Sequence, residues 1–130
     1  MMKYELLYVE LKSGFGDNGP AWIGRGSRSK SGRTIYFNDQ AFQPLGGQGI
    51  QGNYRNIETG DEYWISGLKK NQEDRHWAGS GFIMIDEEVV EEYLNIIGAK
   101  SLDDRKFKVV QLHQGDVRSR IHDHENKKII

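Results

Sequence analysis

The residues best suited to chemistry crowd into the stretch 62–81. Within it, Asp74 and His76 stand two apart, so on a strand they share one face while Arg75 and Trp77 share the other. A carboxylate beside an imidazole fixes its tautomer and raises its pKa, which suits general acid–base catalysis. The same pair also serves as a plain surface contact that pins a strand near a glycine-rich turn. No nucleophile accompanies it, since Ser66 and Ser80 lie outside any Gly-x-Ser-x-Gly elbow. A small hydrolase or lyase built on His76 and Asp74 is therefore an alternative reading.

Cations form the second constellation. Arg25, Arg28, Lys30 and Arg33 lie on or beside a Ser/Gly-rich stretch, residues 26–32, and Lys69 and Lys70 sit on another turn. If the two stretches meet, side-chain charge and free backbone N–H groups make an anion site. Neither a phosphate-binding Gly-x-x-x-x-Gly-Lys-Ser/Thr nor a Gly-x-Gly-x-x-Gly pattern in strand–helix context is present, so a nucleotide fold is not expected. Trp22, Trp64 and Trp77, with Tyr36, Tyr54 and Tyr63, supply either a core or a stacking platform for bases. Tyr36 and Tyr54 are the platform candidates because polar residues flank them. His113, His122 and His124 could ligate zinc or nickel, but they fall in a polar tail without a firm supporting shell, and no metal site is expected.

The elements that must position these groups are short. Fourteen of the 16 glycines lie between Gly14 and Gly81 and punctuate aromatic and β-branched runs, the pattern of a meandering antiparallel sheet or barrel. Residues 3–11 read as a strand with Tyr4, Leu6 and Tyr8 on one face and Leu7, Val9 and Leu11 on the other. Both faces are apolar, which places the strand centrally. Further strands are expected at 21–25, 33–37, 41–43, 73–77 and 82–85, with Asn38-Asp39 as a turn and a hairpin at 53–57 and 62–66. A helix runs from the N-cap Asp86 to Ile97, with the apolar stripe Val89, Val90, Tyr93, Leu94 and Ile97 and a stop at Gly98. A last edge strand occupies 107–112. The expected architecture is one α+β domain over residues 1–112, a strongly bent antiparallel sheet or small SH3-like barrel with one packed helix. Residues 113–130 read as a mobile polar tail.

The set Ala21-Trp22-Ile23-Gly24, Ser29-Lys30-Ser31-Gly32-Arg33-Thr34-Ile35-Tyr36, Gly52-Asn53-Tyr54, Glu58-Thr59-Gly60, Tyr63-Trp64-Ile65-Ser66-Gly67, Lys69-Lys70 and Asp74-Arg75-His76-Trp77 resembles a family of short uncharacterised bacterial proteins. The resemblance runs from Tyr4 to Ile97 and implies no activity. Some members carry an automatic label as deoxyxylulose-phosphate synthase. That enzyme needs a far longer chain with a thiamine-diphosphate domain, so the label does not fit 130 residues.

Composition bounds the rest. Lys plus Arg is 18 and Asp plus Glu is 19, a net charge of −1, which excludes a globally basic nucleic-acid coat but not a local patch. No apolar run approaches the ~18 residues of a membrane span. Glu5 and Glu10 break the layout of a secretory leader, so none is expected. With 0 cysteines the chain has no thiol chemistry, and a reducing cytoplasm is the expected home. The expected function is a non-enzymatic binding module for an anionic ligand, with nucleic acid foremost, held by Arg28, Lys30, Arg33, Tyr54, Lys69, Lys70 and Arg75. A protein–protein adaptor using an edge strand or the acidic helix face is the other alternative. No cofactor is expected.

Overall fold

The computed structural model describes residues 4–46, 52–68 and 82–112. Its first strand, β1 (Tyr4–Leu11), is covered on both faces, as its two apolar faces require. Leu7 and Val9 face one core, joined by Leu11, while Tyr8 and Leu6 face another. Five more strands follow: β2 (Ala21–Arg28), β3 (Ile35–Phe37), β4 (Gln40–Pro44), β5 (Tyr54–Asn56) and β6 (Glu62–Gly67). Each pairs antiparallel with the next, and β6 returns to pair with β1. The result is a closed six-stranded antiparallel barrel, in which β3 pairs with only the end of β2.

Local chemistry makes the tight corners. Asn38 and Asp39 take φ of 49° and 59° between β3 and β4, the two positive-φ residues that a type I′ hairpin needs. Between β5 and β6 the Asn56 side chain accepts from the amides of Glu58 and Thr59 at 2.8 and 3.1 Å and shapes the turn. The barrel interior holds Leu7, Val9, Ile35, Phe37, Phe42, Tyr63 and Ile65, with Tyr54 packed against them. Phe42 meets Tyr63 edge-on at 4.8 Å. Gly26 makes room inside, because a Cβ there would lie 2.6 Å from Leu7 Cδ1 and 3.5 Å from Phe37 Cδ2.

β2 is longer than its partner β3, and its second edge is shared. Ser27 and Arg28 pair with β3, while Ala21, Trp22 and Ile23 pair in parallel with β7 (Ile83–Asp86). β8 (Phe107–Val110) adds to β7, again in parallel. The antiparallel barrel with one helix is the expected α+β architecture, and β7 and β8 are strands added outside it. Their mutual pairing is parallel because a helix crosses between them and returns the chain to the same end. That helix starts at Asp86, whose carboxylate accepts from Glu88 N at 3.2 Å. A 3₁₀ turn, Glu87–Val89, leads into α1 (Val90–Ile97), and Gly98 closes it at φ +70°. Val89 and Tyr93 are fully buried against Tyr8, Ala21, Ile23, Ile83, Ile85 and Phe107, the second core. Leu94 is only half-buried and stands outside that core. Leu112, just past β8, packs onto the barrel core against Gly24.

Gly19 allows the closest backbone approach. A Cβ there would stand 2.2 Å from the Leu11 carbonyl oxygen, a backbone atom of the last residue of β1. Gly19→Ala is expected to cost about 1–3 kcal/mol as overpacking. Gly67→Ala meets nothing within 4 Å. It should stay within about 0.5 kcal/mol of wild type in urea melts. Equal effects would place the crowding elsewhere.

Candidate functional site

Six alternating strands give the barrel two ends. β1, β3 and β5 begin at one of them, and β2, β4 and β6 finish there. That mouth gathers Glu5, Arg28, Thr34, Gln43 and Tyr54, and the connection 29–34 joins β2 to β3 there. Arg28, Lys30 and Arg33, close in the sequence, thus share one end of the fold with the distant Tyr54.

Alternation decides where each side chain points. On β1 the odd positions Leu7 and Val9 face the barrel interior, so Glu5 continues that row at the mouth. On β2 the inward row includes Gly24 and Gly26, and Arg28 continues it. Glu5 stands opposite Gly26 in the ladder. The two charged groups meet there, with Arg28 Nε donating to Glu5 Oε1 at 2.5 Å. Arg28 also donates through Nη1 to the Gly32 carbonyl at 3.4 Å. The neighbouring Tyr54 hydroxyl above all, and then Glu5, hold the guanidinium above its ordinary pKa despite slight burial.

The connection 29–34 is ordered by its own hydrogen bonds. Ser29 N donates to Thr34 O at 2.9 Å and Gly32 N to Ser29 O at 2.8 Å. Thr34 N donates to Ser29 Oγ at 3.1 Å and Arg33 N to Ser31 Oγ at 3.3 Å. These four amides are spent inside the turn, so the expected nest of free N–H groups is not built from them. Part of the expected loop is also strand, because Gly26, Ser27 and Arg28 extend β2. What the mouth offers an anion is side-chain charge. Lys30 and Arg33 are exposed, and neither makes an ion pair among the described residues.

The aromatic residues mostly serve packing. The Tyr54 ring is half-buried against the barrel core, Trp22 packs there too, and Tyr63 lies inside it. Burial, with Asp61 nearby, pushes the Tyr63 phenol up. Tyr36 packs beside Ala41. Trp64 on β6 is 40% exposed, and Tyr4, Phe15 and Phe82 also present open rings. Lys69, Lys70, Asp74, Arg75, His76, Trp77, His113, His122 and His124 lie outside the described residues. Among the described residues, no group of three or more His, Asp or Glu is placed to hold a metal ion.

One polar cluster was not foreseen. Tyr8 donates to Glu10 Oε1 at 2.5 Å, and Lys12 Nζ lies 2.9 Å from Glu10 Oε2. Tyr8 and Glu10 are shut away from solvent and Lys12 nearly so. Tyr8 and Glu10 share one face of β1, Lys12 follows the strand's end, and the row continues the second core outward. The signal was a carboxylate and a lysine in register with Leu6 and Tyr8 on a strand already read as central. Closed to solvent among the described residues, this cluster extends the packing of the second core.

The Arg28–Glu5 pair is a different case. Its side chains are 41% and 46% exposed. Arg28→Ala should therefore change stability by no more than about 1 kcal/mol in a urea melt. A larger loss would make the pair structural and not part of a binding surface. Described residues include no helix long and apolar enough to cross a membrane. Compared with protein-family models, curated proteins and solved structures, the chain shows no match.

Proposed function

We propose that the chain is a non-enzymatic binding module that holds an anionic ligand, with single-stranded nucleic acid as the leading ligand, at the barrel mouth. One observation carries this reading. Lys30 and Arg33 project from a turn that its own hydrogen bonds have already ordered, beside an Arg28 held by Gly32. A pre-ordered surface loses little freedom on binding, so more of the charge attraction is kept as affinity. Phosphates are the natural partners of such a row, and the contact is with the backbone and not the bases. Lys69, Lys70 and Arg75, outside the described residues, join the proposal on their charge alone. The absence of cysteine favours a reducing cytoplasm as its place of work. The resemblance to short bacterial proteins brings no activity with it.

The test is titration with short single-stranded DNA and RNA at several salt concentrations. Changing Lys30 and Arg33 together to Ala should flatten the slope of log affinity against log salt by about 1.4, at roughly 0.7 for each single-strand phosphate contact. A slope that does not change would remove these cations from the interface.

A protein adaptor is the second reading. β8 lies at the end of the strand order with Lys108 and Val109 exposed, and Glu87, Glu88 and Glu91 line an exposed helix face. Partner capture that survives high salt would favour it. The hydrolase or lyase alternative rests on His76 and Asp74. It would need a substrate turned over by wild type and not by His76→Ala.

A further inference from the structure

We propose that Glu5 is the built-in occupant of the seat that a ligand phosphate takes on Arg28, so that Glu5 sets how tightly the mouth holds a phosphodiester backbone. This inference rests on the proposed function and deepens it.

The geometry separates the two sides of the guanidinium. Nη1 is tied to the Gly32 carbonyl, and the Tyr54 hydroxyl lies close by, so the mouth itself fixes the group. Nε faces Glu5. A carboxylate oxygen and a phosphate oxygen present the same charged acceptor to an N–H donor, and a group placed for one accepts the other. The pair is also open to exchange. Both side chains are more than two-fifths exposed, and an ion pair in that setting is weakly held.

Position makes Glu5 a competitor and not a bystander. It continues the inward row of β1 beyond Leu7, opposite a glycine, so its carboxylate reaches over the barrel opening. Lys30 and Arg33 stand just past Arg28, on the turn that Arg28 itself helps to hold. A strand laid along the turn brings one phosphate to Arg28 and its neighbours to Lys30 and Arg33. To seat the first, it must displace Glu5 and then tolerate the freed carboxylate beside it. Glu5 thus weakens the binding of every phosphate chain through one contact.

The experiment measures the affinity of labelled oligothymidine at low salt for wild type, Glu5→Gln, Arg28→Ala and the double variant. Glu5→Gln is expected to bind about 2–5-fold more tightly, the size of an exposed ion pair released. That gain should vanish when Arg28 is also Ala. Glu5→Ala, which removes the acceptor altogether, should behave as Glu5→Gln does. If wild type binds and Glu5→Gln binds no more tightly, the inference is overturned while the proposed function stands. A gain that persists without Arg28 also overturns it, since the effect is then one of overall charge. No binding by wild type or by Glu5→Gln overturns the proposed function and the inference together.

Discussion

Tyr93→Ala is expected to destabilise the fold by about 3–5 kcal/mol, the usual cost of emptying a buried aromatic site. Tyr93 is fully buried and packs its ring against Phe107 at 5.5 Å, so it joins α1 to β8. Both elements contribute to the core on the outer face of β1 and β2, with Ile83, Ile85 and Val89. The apolar stripe by itself nominates Leu94 equally well. Leu94 lies outside that core, however, and Leu94→Ala should cost clearly less. Urea unfolding of both variants checks the ranking. If Leu94→Ala cost as much as Tyr93→Ala, the helix would be rotated from the face described.

Lys12→Met should cost about 3–5 kcal/mol, because it removes the ammonium beside a buried carboxylate. Glu10 is 1% exposed, and Lys12 Nζ lies 2.9 Å from it. Methionine keeps much of the apolar stem, so the loss reports charge and not volume. Adding Glu10→Gln should recover part of the loss, since the buried charge then goes too. A cost under about 1 kcal/mol, the range of an exposed pair, would show that the cluster is solvated. The contrast with Arg28 and Glu5 is the useful one. Both are close ion pairs, and burial alone assigns one to stability and the other to exchange.

Several parts of the fold were legible in the residues. Alternation with two apolar faces placed β1 at the centre, and it joins both cores. Asn38-Asp39 announced its turn, because few other pairs accept positive φ twice. Asp86 and Gly98 bounded the helical segment, cap to cap. Other parts were not legible, for physical reasons. Gly26 and Ser27 read as loop because glycine carries no periodic signal, yet the barrel interior needs a residue without a side chain there. The parallel pairing of β7 and β8 depends on which edge of β2 stays open, a property of the whole sheet. Closure of the barrel brings Arg28, Lys30, Arg33 and Tyr54 to one mouth. Spacing along the chain grouped Arg28, Lys30 and Arg33, but it carries no trace of Glu5 or Tyr54 beside them. Tyr54 looked like a stacking ring from its polar neighbours, but the pleat turns it inward. Glu10 was read for its charge alone, though its register with Tyr8 marked it as buried.

The central claim is that the barrel mouth binds phosphate through the turn after β2. Amide chemical-shift mapping by NMR, with short single-stranded DNA added at low salt, tests it most directly. The expected shifts fall on Glu5, Arg28, Lys30, Arg33 and Tyr54, fade as salt rises, and leave α1 and β8 unmoved. Shifts confined to α1 or β8, or no shifts at all at low salt, would contradict it.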